Sequence, residues 1–182
     1  DEDLSRGLGD VYKRQQRYPS YLCGMQLSLI AIGATSQPWV KDGVEMYNKR
    51  LSRYTKYQYI ETPNLKGKHA KADPARMMKE EAAVADKHLQ GVDHLILLDE
   101  HGPQMGSIAL SKHLQGLMNR GLRHTAFLIG GPYGFDPSLR AKAHGTWSLS
   151  KLTFPHELIR ICAAEQLYRA HTILKGEPYH HP

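Results

Sequence analysis

Apolar and polar positions along this chain switch repeatedly between a strand period and a helix period. Leu27 to Ile32 is a short apolar run ending at Gly33, the pattern of a buried strand. Pro38 to Arg53 carries Trp39, Val40, Val44, Met46, Tyr47 and Leu51 at helical spacing. Tyr57 to Thr62 alternates and is rich in aromatic and β-branched residues, which predicts a strand. Asn64 to Asp73 is a polar loop containing Lys66, Lys68 and Lys71. Asp73 is placed to cap a helix that opens on Pro74 and runs to about Gln90. His94 to Leu98 predicts a third strand, Asp99 to Gly106 a turn, and Ser107 the cap of a helix that stops before Gly121. Thr125 to Ile129 predicts a fourth strand, Trp147 to Leu149 a short fifth, and Pro155 to about Leu174 a last helix, before a tail from Gly176 to Pro182. Strands separated by helices imply parallel crossovers and an α/β sheet. Ligands in such sheets bind beyond the carboxyl ends of the strands, so the loops after Leu98, Ile129 and Leu149 are where a site is expected.

Composition narrows the class. With 182 residues the chain can bury one proper core. No run of eighteen apolar residues occurs, which argues against a membrane-spanning helix and against a membrane partner. Cys23 and Cys162 make no disulfide framework and fit a reducing, cytoplasmic setting. The net charge of +6 suggests an anionic partner, nucleic acid being the commonest. Asp1 to Gly24 contains four acidic and four basic residues and no sustained period, so the whole excess lies on Met25 to Pro182. Residues 1–24 are therefore expected to be an N-terminal extension, disordered or non-native, and 25–182 the functional domain. Eleven histidines raise the question of a metal, but neither His-Glu-x-x-His nor Cys-x-x-Cys occurs, so no metal site is expected.

Gly130-Gly131-Pro132-Tyr133-Gly134 directly follows a strand, where glycines let the backbone bend and approach a ligand. It is neither a P-loop nor a dinucleotide fingerprint. It gains weight from Trp147-Ser148-Leu149-Ser150-Lys151-Leu152-Thr153-Phe154-Pro155-His156 and from the helix behind it, with Arg160, Glu165, Tyr168 and Arg169. The tail then reads Gly176-Glu177-Pro178-Tyr179-His180. Together with Leu29-Ile30-Ala31-Ile32-Gly33 and Tyr47-Asn48-Lys49-Arg50-Leu51, these segments resemble the 23S rRNA (pseudouridine-N3) methyltransferase family of the SPOUT class. The resemblance covers Met25 to His180.

The resemblance implies a SPOUT-type parallel-sheet fold with a C-terminal trefoil knot, a homodimer, and S-adenosyl-L-methionine as cofactor. It implies cofactor contacts at Leu98, Gly130, Leu149, Ser150, Lys151, Leu152, Thr153 and Phe154. It implies that ribosomal RNA in the assembled ribosome is the partner. Leu158, Ile161, Cys162 and Ile173 on the last helix are candidate interface positions. The general base is not fixed by sequence; Tyr179, His180, Glu165 and His156 are the candidates, with the Tyr179-His180 tail favoured for the target-base side. Where the family's tail commonly ends in Lys or Arg, this chain has His181 and Pro182, which points to a weaker or pH-dependent phosphate contact. The competing readings are a SPOUT methyltransferase acting on tRNA, a catalytically silent RNA-binding dimer, and a redox-type nucleotide-binding module.

Overall fold

In the computed structural model, which describes residues 24–65 and 73–181, five strands form one parallel sheet in the order β2-β1-β4-β3-β5. The strands are β1 (Gln26–Ala31), β2 (Lys56–Glu61), β3 (His94–Leu98), β4 (His124–Ile129) and β5 (Gly145–Trp147). The helices between them are α1 (Pro38–Leu51), α2 (Pro74–Asp86), α3 (Ser107–Asn119) and α4 (Pro137–Lys142), and α5 (His156–Lys175) follows β5. Residues 1–23, with most of the expected extension, and 66–72, with Lys66, Lys68 and Lys71, lie outside the described residues.

Strand periodicity divides the core in two. Leu27, Leu29, Ala31, Ile96, Phe127 and Ile129 face one side, where they pack on α1, α3 and α5. Ile30, Ile32, Leu95, Leu97, Ala126 and Leu128 face the other, where Ala82 and Ala85 of α2 and Leu139 of α4 cover them. The β1 and β4 interiors are buried on both faces, which is why their sequences read as near-continuous apolar runs. On the first side α5 packs between α1 and α3. Its Ala163, Ala164 and Ala170 are fully buried and let the helix lie close to the sheet.

This order creates a switch point. β1 feeds α1 on one face and continues outward to β2. Its neighbour β4 feeds α4 on the opposite face and continues the other way to β5. Adjacent strands whose connections diverge leave a crevice beyond their carboxyl ends.

The predicted strands and long helices are all present, with small shifts. α4 is absent from the sequence reading because six residues are too few to establish a helical period. Its signal was the cap instead, with Asp136 Oδ1 accepting from Ser138 N at 2.8 Å ahead of Pro137. β5 ends at Trp147 rather than Leu149, because Ser148 N turns away to donate to Pro103 O at 3.0 Å. Ser107 does not cap α3; Gly106 holds the cap position, and Ser107 Oγ donates to Gln166 Oε1 on α5 at 2.8 Å.

Phe127 is fully buried at the sheet centre, edge-on to Trp147 with ring centroids 5.7 Å apart. Phe127→Ala is expected to lower stability by about 3–5 kcal/mol in a urea titration, through lost burial and the cavity left behind. A loss well under about 1 kcal/mol would contradict this placement of the core.

Candidate functional site

The loops leaving β3, β4 and β5 converge on a cavity of about 490 Å³, with a smaller one of about 110 Å³ beside it. Leu98, Asp99, Glu100, Thr153, Phe154 and Ile159 line both. Of the expected cofactor contacts, Gly130 lines the larger cavity and Leu149, Ser150 and Leu152 the smaller, while Leu98, Thr153 and Phe154 border both. Lys151 is exposed and lines neither. The sequence forms these walls by local means. Gly134, at φ +84°, closes a turn in which its N–H donates to Gly131 O at 3.1 Å. A side chain at Gly130 would press on the Phe135 ring, 3.1 Å from a Cβ placed there. Ser148 Oγ donates to Ser150 O and Ser150 Oγ accepts from Leu152 N, which coils the loop after β5.

Asp99 anchors this region. Its side chain is nearly buried and stands 2.6 Å from Arg140 Nη1 in an ion pair. Burial pushes its carboxyl up, but hydrogen bonding from the His101 backbone and the Arg140 charge outweigh that and leave it below the ordinary Asp range. Sequence reading had no signal for this pairing, because Asp99 and Arg140 meet only through tertiary structure.

A third cavity, of about 240 Å³, opens at the β1/β4 switch point and adjoins the largest through Pro132 and His156. Gly33, Asn64, Met77, Glu81 and Arg160 also line it. Arg160 is 1% exposed. Its Nη2 donates to Ile32 O at 3.0 Å and its Nη1 to Thr35 Oγ1 at 2.6 Å, with Glu61 Oε1 3.4 Å from Nη1. Burial pushes the Glu61 carboxyl up, but hydrogen bonds from Thr35 and Tyr59 and the Arg160 charge hold it below the usual range. Glu157, one residue into α5, accepts from Ser36 N and Gln37 N at 3.1 Å each and ties the start of α5 to the start of α1.

Glu81 is 5% exposed, and burial raises its carboxyl to about 7. Its Oε2 has no hydrogen-bond partner among the described residues. Sequence reading missed it, although a signal existed. Met77, Glu81 and Ala85 recur at i, i+4 and i+8, which sets a carboxylate on the inward stripe of α2.

The four residues named as candidate bases do not come together. His156 is exposed at the start of α5 and borders both large cavities. Glu165, Tyr179 and His180 cluster further along that helix. Arg169 Nη2 donates to Glu165 Oε1 at 2.6 Å, Tyr179 Oη donates to the same oxygen at 3.2 Å, and the Arg169 guanidinium lies 4.7 Å from the Tyr179 ring centroid. His180 Nδ1 is 3.5 Å from Arg169 Nη1. Burial, with hydrogen bonding to Tyr47, raises the Tyr179 phenol. The tail is thus packed against α5. Glu165, which the tail's Tyr179 bonds, lies nine residues beyond His156 on α5, about 14 Å along the axis, so the tail and His156 sit at different levels of the helix. Among the described residues, no three His, Cys, Asp or Glu side chains stand close enough to hold a metal ion, and no helix is long and apolar enough to cross a membrane.

The raised Glu81 carboxyl makes a signed prediction. Because its folded value, about 7, lies above the ordinary 4.5, the folded state holds the extra proton between those values. Its contribution favours folding at low pH and is lost as pH rises from about 4.5 to 7. Relative to Glu81→Gln, the wild-type melting temperature should therefore fall as pH is raised from 5 to 8, as scanning calorimetry would record. A pH-independent difference would show that the carboxyl is not desolvated.

Comparison with known proteins agrees with this architecture. A family model described as "Predicted SPOUT methyltransferase" matches residues 25–180. Ribosomal RNA large subunit methyltransferase H of Cytophaga hutchinsonii is 43% identical over 157 residues, 86% of this chain and 100% of the relative. The protein of the same name from Geotalea daltonii is 42% identical over the same shares. Among solved structures, a probable methyltransferase from Bordetella pertussis shares the fold, with a TM-score of 0.52 at 13% identity, covering 81% of this chain and 96% of that one. The parallel sheet, the loops gathered at its carboxyl edge and the match over residues 25–180 establish that the chain belongs to the SPOUT methyltransferase family.

Proposed function

We propose that this chain transfers a methyl group from S-adenosyl-L-methionine to N3 of a pseudouridine in 23S rRNA of the assembled ribosome, as a cytoplasmic homodimer. The observation that carries the reading is the cavity of about 490 Å³ at the ends of β3, β4 and β5, in a chain about 40% identical to large-subunit rRNA methyltransferases. Its size falls in the range of small-molecule sites. Its walls fit the cofactor: Leu98, Leu149 and Phe154 offer apolar surface, the Gly130 and Ser148–Thr153 backbones offer polar groups, and Glu100 can accept from ribose hydroxyls. S-adenosylmethionine brings an activated methyl group, so the protein's work is to place the target nitrogen and to handle its proton. Leu98, Gly130, Leu149, Ser150, Leu152, Thr153 and Phe154 hold the cofactor in this reading, and Lys151 is left facing solvent or RNA. The excess positive charge attracts rRNA phosphates, and binding should weaken with salt.

The trefoil knot belongs to the same reading. It is supported by the Asp99–Gly106 loop, whose Pro103 O accepts from Ser148 N and whose Gln104 bridges in parallel to Ser148. The homodimer is supported by the half-buried Leu158, Ile161, Cys162 and Ile173 on α5. It also gives the tail a role: packed on Glu165 and Arg169 rather than against its own cofactor cavity, Tyr179-His180 can address a target base at the other protomer's cavity.

The direct test is mass-spectrometric mapping of rRNA after incubating purified ribosomes with the protein and labelled cofactor. One added methyl on a 23S pseudouridine is expected; methylation of free tRNA instead would favour the tRNA reading. Replacing Tyr179 and His180 together with alanine should cut transfer by more than tenfold, about 1.4 kcal/mol in the barrier, with cofactor affinity by calorimetry little changed. Full activity in that variant would remove the tail from the reaction. Gly130→Val should displace Phe135 and weaken cofactor binding; unchanged affinity would move the cofactor elsewhere.

A further inference from the structure

The cavity at the β1/β4 switch point is not used by the cofactor reading, yet its walls carry two buried polar groups with open valences. Glu81 Oε2 and Arg160 Nε are both inaccessible to solvent and have no hydrogen-bond partner among the described residues. A buried acceptor left unpaired is costly unless a ligand or a small shift completes it. The guanidinium of Arg160 is committed to Ile32 O and Thr35 Oγ1, so that side chain is held in place as a wall of the cavity. Glu81 is held against Gly131, where a Cβ would stand only 2.5 Å from its carboxylate oxygens, so only glycine lets the carboxyl occupy this position. The cavity has about 240 Å³, space enough to admit one pyrimidine ring. It sits at the crevice where parallel α/β sheets take ligands, and Pro132 and His156 join it to the cofactor cavity.

We propose that this cavity receives the target base and that Glu81 distinguishes pseudouridine from uridine, its carboxyl accepting the ring N1–H. The inference rests on the proposed pseudouridine specificity. Pseudouridine is joined to its ribose through carbon, which leaves N1–H free; uridine presents C5–H on that edge. With uridine in the cavity the buried carboxyl stays unpaired, and sites built around such a hydrogen bond reject the analogue lacking it by as much as about 10⁴–10⁵. Glu81 shares this cavity with the Arg160 guanidinium and His156 of α5, with Met77 and Val84 of α2, and with Gly33, Asn64 and Pro132 of the neighbouring loops. Burial has raised the carboxyl to about 7, and an N–H donor set against it should lower that value.

Two arms test the proposal. In the first, protein carrying carboxyl-13C glutamate is titrated with pseudouridine 5′-monophosphate and with uridine 5′-monophosphate, Glu81→Gln identifying the resonance. Pseudouridine monophosphate should shift the Glu81 signal and lower its titration midpoint, and uridine monophosphate should do neither. In the second, methyl transfer is compared on ribosomes carrying pseudouridine or uridine at the target position. Glu81→Ala should reduce the pseudouridine-to-uridine ratio of kcat/KM by at least tenfold, and Glu81→Gln, which keeps an acceptor, should retain part of it, with cofactor affinity unchanged in both. A Glu81 resonance indifferent to both nucleotides, or a wild-type ratio in Glu81→Ala, would overturn the proposal. If wild-type protein methylates neither ribosome, the proposed function fails, and the nucleotide titration still decides for or against the pocket.

Discussion

One buried guanidinium holds the functional end of this protein together. Arg160, in the second turn of α5, is bonded to the carboxyl end of β1 through Ile32 O, to the loop behind it through Thr35, and to β2 through Glu61. A charge that is 1% exposed is tolerable only because those partners surround it. Glu61 is fixed in turn by Thr35 and Tyr59, and Glu157 fastens the start of α5 to the start of α1. The helix that follows the loop of expected cofactor contacts is therefore set against the opposite half of the sheet. The loop from Ser148 to Pro155 has to span the ends of the strands between, and the cavities form where it does so.

The two cavities divide along the sheet's connectivity. The larger lies where loops from β3, β4 and β5 meet. The smaller lies where β1 and β4 part, over α2. They share Pro132 and His156, so a residue at the start of α5 stands between them. This arrangement separates a site walled by the loops after three strands from one whose walls include the fixed side chains of Glu81 and Arg160.

Much of the fold was legible in the sequence. β1, β3 and β4 are apolar runs because both of their faces are covered, and α2 announced itself through Asp73 and Pro74, with Asp73 Oδ1 accepting from Arg76 N at 3.0 Å. The glycine loop and the segment from Leu149 to Phe154 gave the places where a ligand could sit. What could not be read was anything made by distant partners. Asp99 with Arg140, Arg160 with Ile32 and Glu61, and Glu81 against Gly131 are joined only after folding, and no period or spacing encodes them. α4 escaped because a single cap and one turn of helix leave no periodic trace. The tail shows the opposite limit. Its Tyr179 and His180 stood out as chemistry-bearing residues, yet their packing on Glu165 and Arg169 sets them apart from His156, the fourth candidate base.

Hydrogen exchange with and without S-adenosylmethionine tests the central division of the two cavities most directly. The amides of Gly130–Gly134 and Ser148–Phe154 should slow on adding the cofactor, while those of α2 and Thr62–Leu65 stay unchanged. Protection centred on α2 and Thr62–Leu65, with none from Ser148 to Phe154, would place the cofactor at Glu81 and contradict the account.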